Sequence, residues 1–248
     1  MRIRLLALLF LLPVMTIPLS ASGAQHALPV AVSENASKVL RVEDGELAGM
    51  AAPLYQCVFD RTGLTFSFTQ MPLARALFNY EHGEVAAVVP LARSPERDEH
   101  GEFAGPLLEV QYVLLSPQEL SSLESIKNKF YVIPRGHLGK QFVAEHVPGG
   151  FEVNSWEQVF SMLSLGRADF TVVPELILED IVSATQTTFY TLPVGFAPSS
   201  VYVSDDYLAS ELDERLKESV AACRQIFADD IRQKQGGGRT AGKSGNDR

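Results

Sequence analysis

Two cysteines, one tryptophan and five histidines are the whole supply of soft or aromatic metal and redox chemistry in this 248-residue chain. The histidines, His26, His82, His100, His137 and His146, show no ligand spacing, and two cysteines alone do not make a zinc site, so no metal or other cofactor is expected. The motifs that announce hydrolases are missing too. There is no Gly-x-Ser-x-Gly elbow, no His-Glu-x-x-His, and no cysteine with a base placed by motif. Positive charge is scarce: 21 Lys and Arg stand against 30 Asp and Glu, a net −9.

That imbalance deepens once the ends are set aside. Residues 1–24 read as a secretory signal, with Arg2 and Arg4, an apolar stretch over 5–19 interrupted by proline, and small residues before a cut after Ala24. Removing its two arginines takes the net charge from −9 to −11. The tail 232–248 holds five basic residues and one acid, which leaves −15 on residues 25–231. A body so acidic excludes nucleic acid and anionic membrane surfaces as natural partners. No lipobox cysteine follows the apolar stretch, so a free periplasmic protein is expected.

The tail is predicted to be disordered. Within it, residues 237–244 read GGRTAGKS and match the phosphate-loop pattern letter for letter. Such a loop needs a buried strand before it and a helix after it to receive the phosphates, and the tail supplies neither.

The most informative stretch is 71–106, MPLARALFNYEHGEVAAVVPLARSPERDEHGEFAGP. Apolar residues at helical spacing predict a helix over 73–80, closed by Gly83, and the Val-rich run 85–91 predicts a buried strand. Ser94, Pro95 and Glu96 then spell a helix start: a capping hydroxyl, proline at the first position, an acid in the first turn. Arg97 follows at once. A guanidinium at a capped loop beyond a buried strand suits a carboxylate, whereas the plain alternative is a surface ion pair.

The rest of the chain alternates in the same manner. Strands are predicted at 28–32, 64–68, 110–115, 130–133 and 170–173, and helices at 50–62, 138–146 and 210–227. The helix beginning at Trp156, with Gly166 and the strand after it, repeats the 73–91 unit at an offset of 83 residues, as two lobes of similar build would. Trp156 and Phe160 fall at helical spacing and read as core.

This arrangement resembles the family 3 periplasmic solute-binding proteins. The likeness rests on Gly45-Glu46-Leu47-Ala48-Gly49, the Ser94-Pro95-Glu96-Arg97 loop, the 103–107 turn (FAGPL), and Gly166-Arg167-Ala168-Asp169. It implies a two-lobed α/β periplasmic-binding-protein-like fold of class II, each lobe a sheet flanked by helices, with two hinge crossings. Lobe 1 would comprise 25–112 and 193–231, and lobe 2 residues 113–192. With that fold Cys57 and Cys223 fall in one lobe, where a disulfide and two buried thiols are both open; a bridge would be worth about 3–5 kcal/mol.

By the same resemblance Arg97 holds a ligand carboxylate, with Ala92 and Ser94 in the same loop. The Pro72-x-x-Arg75-Ala76 form resembles a branch in which Arg75 adds a second guanidinium. Gly136 and His137 would face the ligand from the far lobe, His137 standing where the family has Ser or Thr. The sequence also departs from the pattern. Residues 35–38 carry no aromatic to stack on a ligand, Ala86 replaces an Asp, and Pro174 stands where amino-acid binders place the Asp that holds the ammonium, leaving Glu175 to serve one residue late.

The expected function is therefore capture of a small polar anionic ligand, an acidic amino acid or a carboxylate without an amine, by a monomer serving an inner-membrane ABC permease. Catalysis is not expected. The alternatives are a prephenate-type dehydratase on the same fold, with Glu175 as its general acid, or an orphan ligand sensor.

Overall fold

The computed structural model describes residues 26–183 and 187–237. The expected signal segment 1–24 and the tail beyond Gly237, with almost all of the phosphate-loop look-alike, lie outside them.

The chain opens with the buried strand β1 (Leu28–Ser33), a 3-10 turn over Glu34–Ala36, and a hairpin of β2 (Arg41–Glu43) and β3 (Glu46–Ala48). Asp44 and Gly45 take positive φ, the Asp-Gly turn that a tight hairpin favours. Helix α1 (Ala52–Thr62) buries Leu54, Tyr55, Val58 and Phe59 on one face and stops at Gly63, whose φ of 68° closes it. Next come β4 (Phe66–Met71), α2 (Leu73–Glu81), β5 (Ala87–Ala92), the single turn α3 (Pro95–Asp98), β6 (Gly101–Phe103) and the long strand β7 (Leu108–Ser116).

The second half holds β8 (Tyr131–Pro134), β9 (Gly150–Val153), α4 (Trp156–Ser164), β10 (Thr171–Pro174) and α5 (Leu178–Ser183). The 15-residue β11 (Tyr190–Ser204) and α6 (Leu212–Gly237) complete it. The helix expected over 138–146 is only a 3-10 turn, Leu138–Phe142. Gly139 lies against Val172 with room for no side chain, and glycine in a first turn is a poor helix former. The tail expected to be disordered from Arg232 is helical to Gly237, because Arg232, Gln233, Lys234 and Gln235 carry α6 onward as good helix formers.

The repeat at 83 residues is present in three dimensions. Helices α2 and α4 each have nine residues and begin at Leu73 and Trp156, 83 positions apart, and each is followed by a left-handed glycine, Gly83 or Gly166. The Asp of the second unit serves structure: Asp169 accepts from the Phe130 backbone N–H at 2.8 Å. Ala86 N–H donates to the Pro29 carbonyl as Asp169 N–H donates to that of Phe130, but Pro29 has no N–H of its own, so at Ala86 there is nothing for a carboxylate to accept from.

Seven strands form one sheet in the order β10-β7-β11-β5-β1-β4, with β6 also paired to β11. Strands β4, β1 and β5 run parallel, and β11 is antiparallel to β5, β6 and β7. Strand β11 therefore belongs to two neighbourhoods: its first part pairs with β7, its last part with β5 and β6. Helices α1 and α6 pack together over one face of the β1–β5 end, and α2 covers the other. Beyond β7 a separate apolar cluster of Leu114, Ile126, Val143, Phe170 and Val172 packs part of the second half, while Val132, Val159, Leu163 and Val173 belong to the same cluster as α1 and α6. Cys57 of α1 and Cys223 of α6 are bonded, Cα to Cα 6.0 Å, which decides between the two states left open by the sequence.

Candidate functional site

The loop after β5 is held by buried hydroxyls. Ser94 caps α3 by accepting from the Arg97 backbone N–H at 3.3 Å. Its own N–H donates to the Tyr202 hydroxyl at 3.1 Å, and that hydroxyl donates to the Asp98 carboxylate at 2.7 Å. The Tyr80 hydroxyl donates to the Arg97 carbonyl at 2.9 Å. Burial raises both phenol pKa values well above the ordinary range, so these hydroxyls keep their protons and their donor roles.

So fixed, the Arg97 side chain runs inward and is only 7% exposed. Its guanidinium donates to the carbonyl of Ala92 and, at 2.8 Å, to the carbonyl of Gly136, which belongs to the turn after β8. One cation thus joins the end of β5 to the other half of the molecule. Burial pulls its pKa below the ordinary value, opposed mainly by Tyr112 and Tyr202, and arginine remains a cation in a protein. Gly136 has φ of 76°, and a Cβ there would meet Leu77 Cδ1 at 2.6 Å, so the turn approaches α2 as only glycine allows.

His137 is also 7% exposed. Its Nδ1 accepts from the Gly139 backbone N–H at 3.1 Å, which leaves the imidazole proton on Nε2. Burial first, and the Arg97 charge second, push its pKa down to about 3, so the ring is neutral at physiological pH. It packs beside Tyr112 and edge-on against Trp156, ring centroids 6.0 and 5.1 Å away. The Trp156 indole N–H in turn donates to the backbone carbonyl of Asn35 at 3.1 Å.

These residues surround a cavity of about 80 Å³. Its polar lining is Ser33, Asn35, Arg97, Tyr112, His137 and Ser199, and the remainder is apolar, including Leu73, Leu91, Val110 and Ile177. Among the described residues no Asp or Glu lines it. On the far side of Arg97, His137 and Leu138 lies an outer hollow of about 310 Å³, which adds Ser94, Gly136, Arg135 and Lys140 together with Glu96 and Glu152. The guanidinium is the wall between them.

Of the residues singled out in the sequence, Ala92, Arg97 and His137 meet at the cavity, and Ser94 and Gly136 join them from the outer hollow. Arg75 does not. It is exposed and lines a different surface hollow with Met71, Phe78, Asn79 and Glu84. Leu73 faces the cavity, and a residue two positions on points about 200° round the helix. Glu175 also lies outside the lining: it is exposed at the start of the 3-10 turn Glu175–Ile177, while Pro174, Leu176 and Ile177 contribute to the cavity.

Sequence reasoning misses Asn35, Tyr112 and Trp156. Asn35 shows in the sequence only as the lack of an aromatic, and Tyr112 is hidden in an apolar strand. Trp156 is half-buried against the core, as its helical spacing suggests, but also donates to the Asn35 carbonyl, and the available signal for that is a lone indole directly after the capping Ser155.

No family model matches the sequence, and no curated protein matches it. Solved structures do. An ancestral arginine-binding protein bound to arginine superposes with a TM-score of 0.68 at 19% identity, covering 84% of this chain and 97% of that one. The ligand-binding core of GluR0 complexed with L-glutamate gives 0.69 at 15%, covering 85% and 99%. A putative L-cystine ABC transporter structure from Listeria monocytogenes gives 0.65 at 16%, covering 79% and 89%. The chain has their fold: the two-lobed α/β architecture of periplasmic binding proteins.

Proposed function

We propose that the protein is a periplasmic solute-binding protein that captures a small carboxylate without an ammonium group and delivers it to an inner-membrane ABC permease, acting as a monomer. The observation that carries this reading is Arg97: a buried guanidinium, the one charged group among the described residues that line a half-open cavity. A cation in that setting favours an anion whose oxygens take its remaining N–H groups. With neither a carboxylate in the lining nor Glu175 beside it, an amino acid's ammonium has no counter-charge. Arg75, in its separate hollow, gives no second anion site, so a monocarboxylate fits better than a dicarboxylate.

Lobe 1 is assigned to residues 25–112 and 193–231 and lobe 2 to 113–192. In support, the two crossing points fall on residues that face each other, Val113 opposite Pro193 in the β7–β11 pair. Transport, as against catalysis, is favoured by the neighbours, whose titles describe an arginine-binding protein and an ABC transporter, and by the position of Glu175, the general acid a dehydratase would use.

Calorimetric titration of the mature chain, residues 25–248, with a panel of small mono- and dicarboxylates and the matching amino acids tests the reading. The expected result is a monocarboxylate ligand whose affinity falls at least 100-fold in Arg97→Ala, on the scale of about 2–5 kcal/mol for removing one partner of a buried charged pair. Arg97→Lys recovers little of it, since an ammonium cannot reproduce the planar fork. Equal affinity in wild type and Arg97→Ala would sink the proposal, as would tightest binding by an amino acid.

A further inference from the structure

Asn35 offers a donor that the carboxylate reading leaves unused. The residue lines the cavity with Arg97, at the turn after β1, and its backbone carbonyl is pinned by the Trp156 indole. Its side-chain Nδ2 is buried and has no hydrogen-bond partner among the described residues. An unmet buried donor is costly, so a ligand atom that accepts from it is favoured over one that does not.

We infer that Asn35 reads a second oxygen on the ligand, next to its carboxylate, and that the ligand class is a compact 2-oxo or 2-hydroxy acid. The inference rests on the solute-binding reading above and narrows its ligand.

The polar roles point the same way. The guanidinium donates. His137 has given its acceptor nitrogen to Gly139, which leaves Nε2–H as a donor. Asn35 Nδ2 donates. A ligand rich in acceptors completes this set, with the hydroxyls of Ser33, Tyr112 and Ser199 able to donate or accept beside it. An ammonium at the same carbon would instead meet the Arg97 guanidinium with no carboxylate among the described lining residues. Size narrows the class further. A cavity of about 80 Å³ is smaller than the roughly 150 Å³ that accommodates benzene, so three to five carbons are expected.

Four acids on one carbon skeleton test this: butyrate, 2-oxobutyrate, 2-hydroxybutyrate and 2-aminobutyrate, titrated calorimetrically into wild type, Asn35→Ala and Asn35→Asp. Thermal melts of the unliganded variants check that each is folded. In wild type the 2-oxo or 2-hydroxy acid binds at least tenfold more tightly than butyrate, and 2-aminobutyrate binds no better than butyrate. Asn35→Ala erases the tenfold gap while leaving butyrate unchanged, a pattern that general damage to the cavity would not give. Asn35→Asp, which exchanges the donor for a negative acceptor, weakens all three non-amino acids more than Asn35→Ala does.

Tightest binding by 2-aminobutyrate, with a further gain in Asn35→Asp, would overturn the inference and make Asn35 an acceptor for a cation. Equal weakening of butyrate and 2-oxobutyrate in Asn35→Ala would also overturn it. If butyrate binds through Arg97 with no gain from a 2-oxygen, the role of Asn35 fails alone; if none of the four binds and Arg97→Ala changes nothing in the wider panel, the solute-binding reading fails with it.

Discussion

The Trp156 indole N–H and the Asn35 carbonyl are 121 residues apart in sequence and 3.1 Å apart in space, and their bond ties the start of α4 to the turn after β1, where Asn35 lines the cavity. A neutral hydrogen bond contributes about 0.5–1.5 kcal/mol. Because the two ends belong to different lobes in the proposed division, that energy favours the closed arrangement over an open one. Trp156→Phe is expected to weaken ligand binding about two- to tenfold with little change in melting temperature. Trp156 is the sole tryptophan, so its fluorescence in wild type reports the same contact on titration with ligand. Unchanged affinity in Trp156→Phe would show that the bond plays no part in closure.

His137 makes stability depend on pH in a defined window. The unfolded histidine takes up a proton near pH 6.5, and the buried ring does so only near 3. Between those values the unfolded state holds the extra proton, so stability falls as pH falls, by up to about 1.4 kcal/mol per pH unit from this group. Above pH 6.5 the group contributes no slope. Urea unfolding of wild type and His137→Asn, whose amide oxygen can still accept from Gly139, is expected to show a slope between pH 6.5 and 4.5 that is shallower by about one proton in the variant. Identical slopes would mean that His137 is protonated in the folded state.

The Cys57–Cys223 bond closes a loop of 166 residues, and in the chain-entropy model such closure is worth about 5 kcal/mol. It joins α1 to α6, and neither cysteine lines the cavity. Replacing both by alanine should lower the melting temperature by roughly 10 °C or more and leave ligand affinity within about twofold. A large affinity loss with an unchanged melting temperature would reverse these two assignments.

Much of the fold could be read from the sequence because burial is periodic. The run Leu73, Ala76, Leu77, Tyr80 and the run Val85 to Leu91 each give a period that only one element satisfies, and both elements are present. Short strands are legible only when buried: β8 and β10, four residues each, show as apolar runs, whereas β6 and β9, with one buried residue between them, show none. At the site, Arg97 was legible because its loop spells its own geometry, with cap, proline, acid and cation in consecutive positions. Arg75 misled because membership of a motif says nothing of which side of a helix a residue faces, and the helical phase puts it outside. Asn35 and Trp156 were illegible for a different reason. They meet through a bond across 121 residues, and such a bond leaves no local pattern.

Strands β7 and β11 join the two cores as a ladder, with Val113 opposite Pro193 and a slip of register before Gly195. The halves of the molecule are therefore not beads on flexible linkers. Turning one against the other is torsion of a two-stranded ribbon, the form of β-structure that accepts the widest range of twist. Such a ribbon resists sliding, because sliding breaks every rung, and yields to rotation about its own length, which breaks none. On the proposed division into lobes, the direction in which the cavity would admit a ligand is set by the backbone of β7 and β11, and side-chain changes around the cavity would alter how firmly it shuts without altering the path it takes.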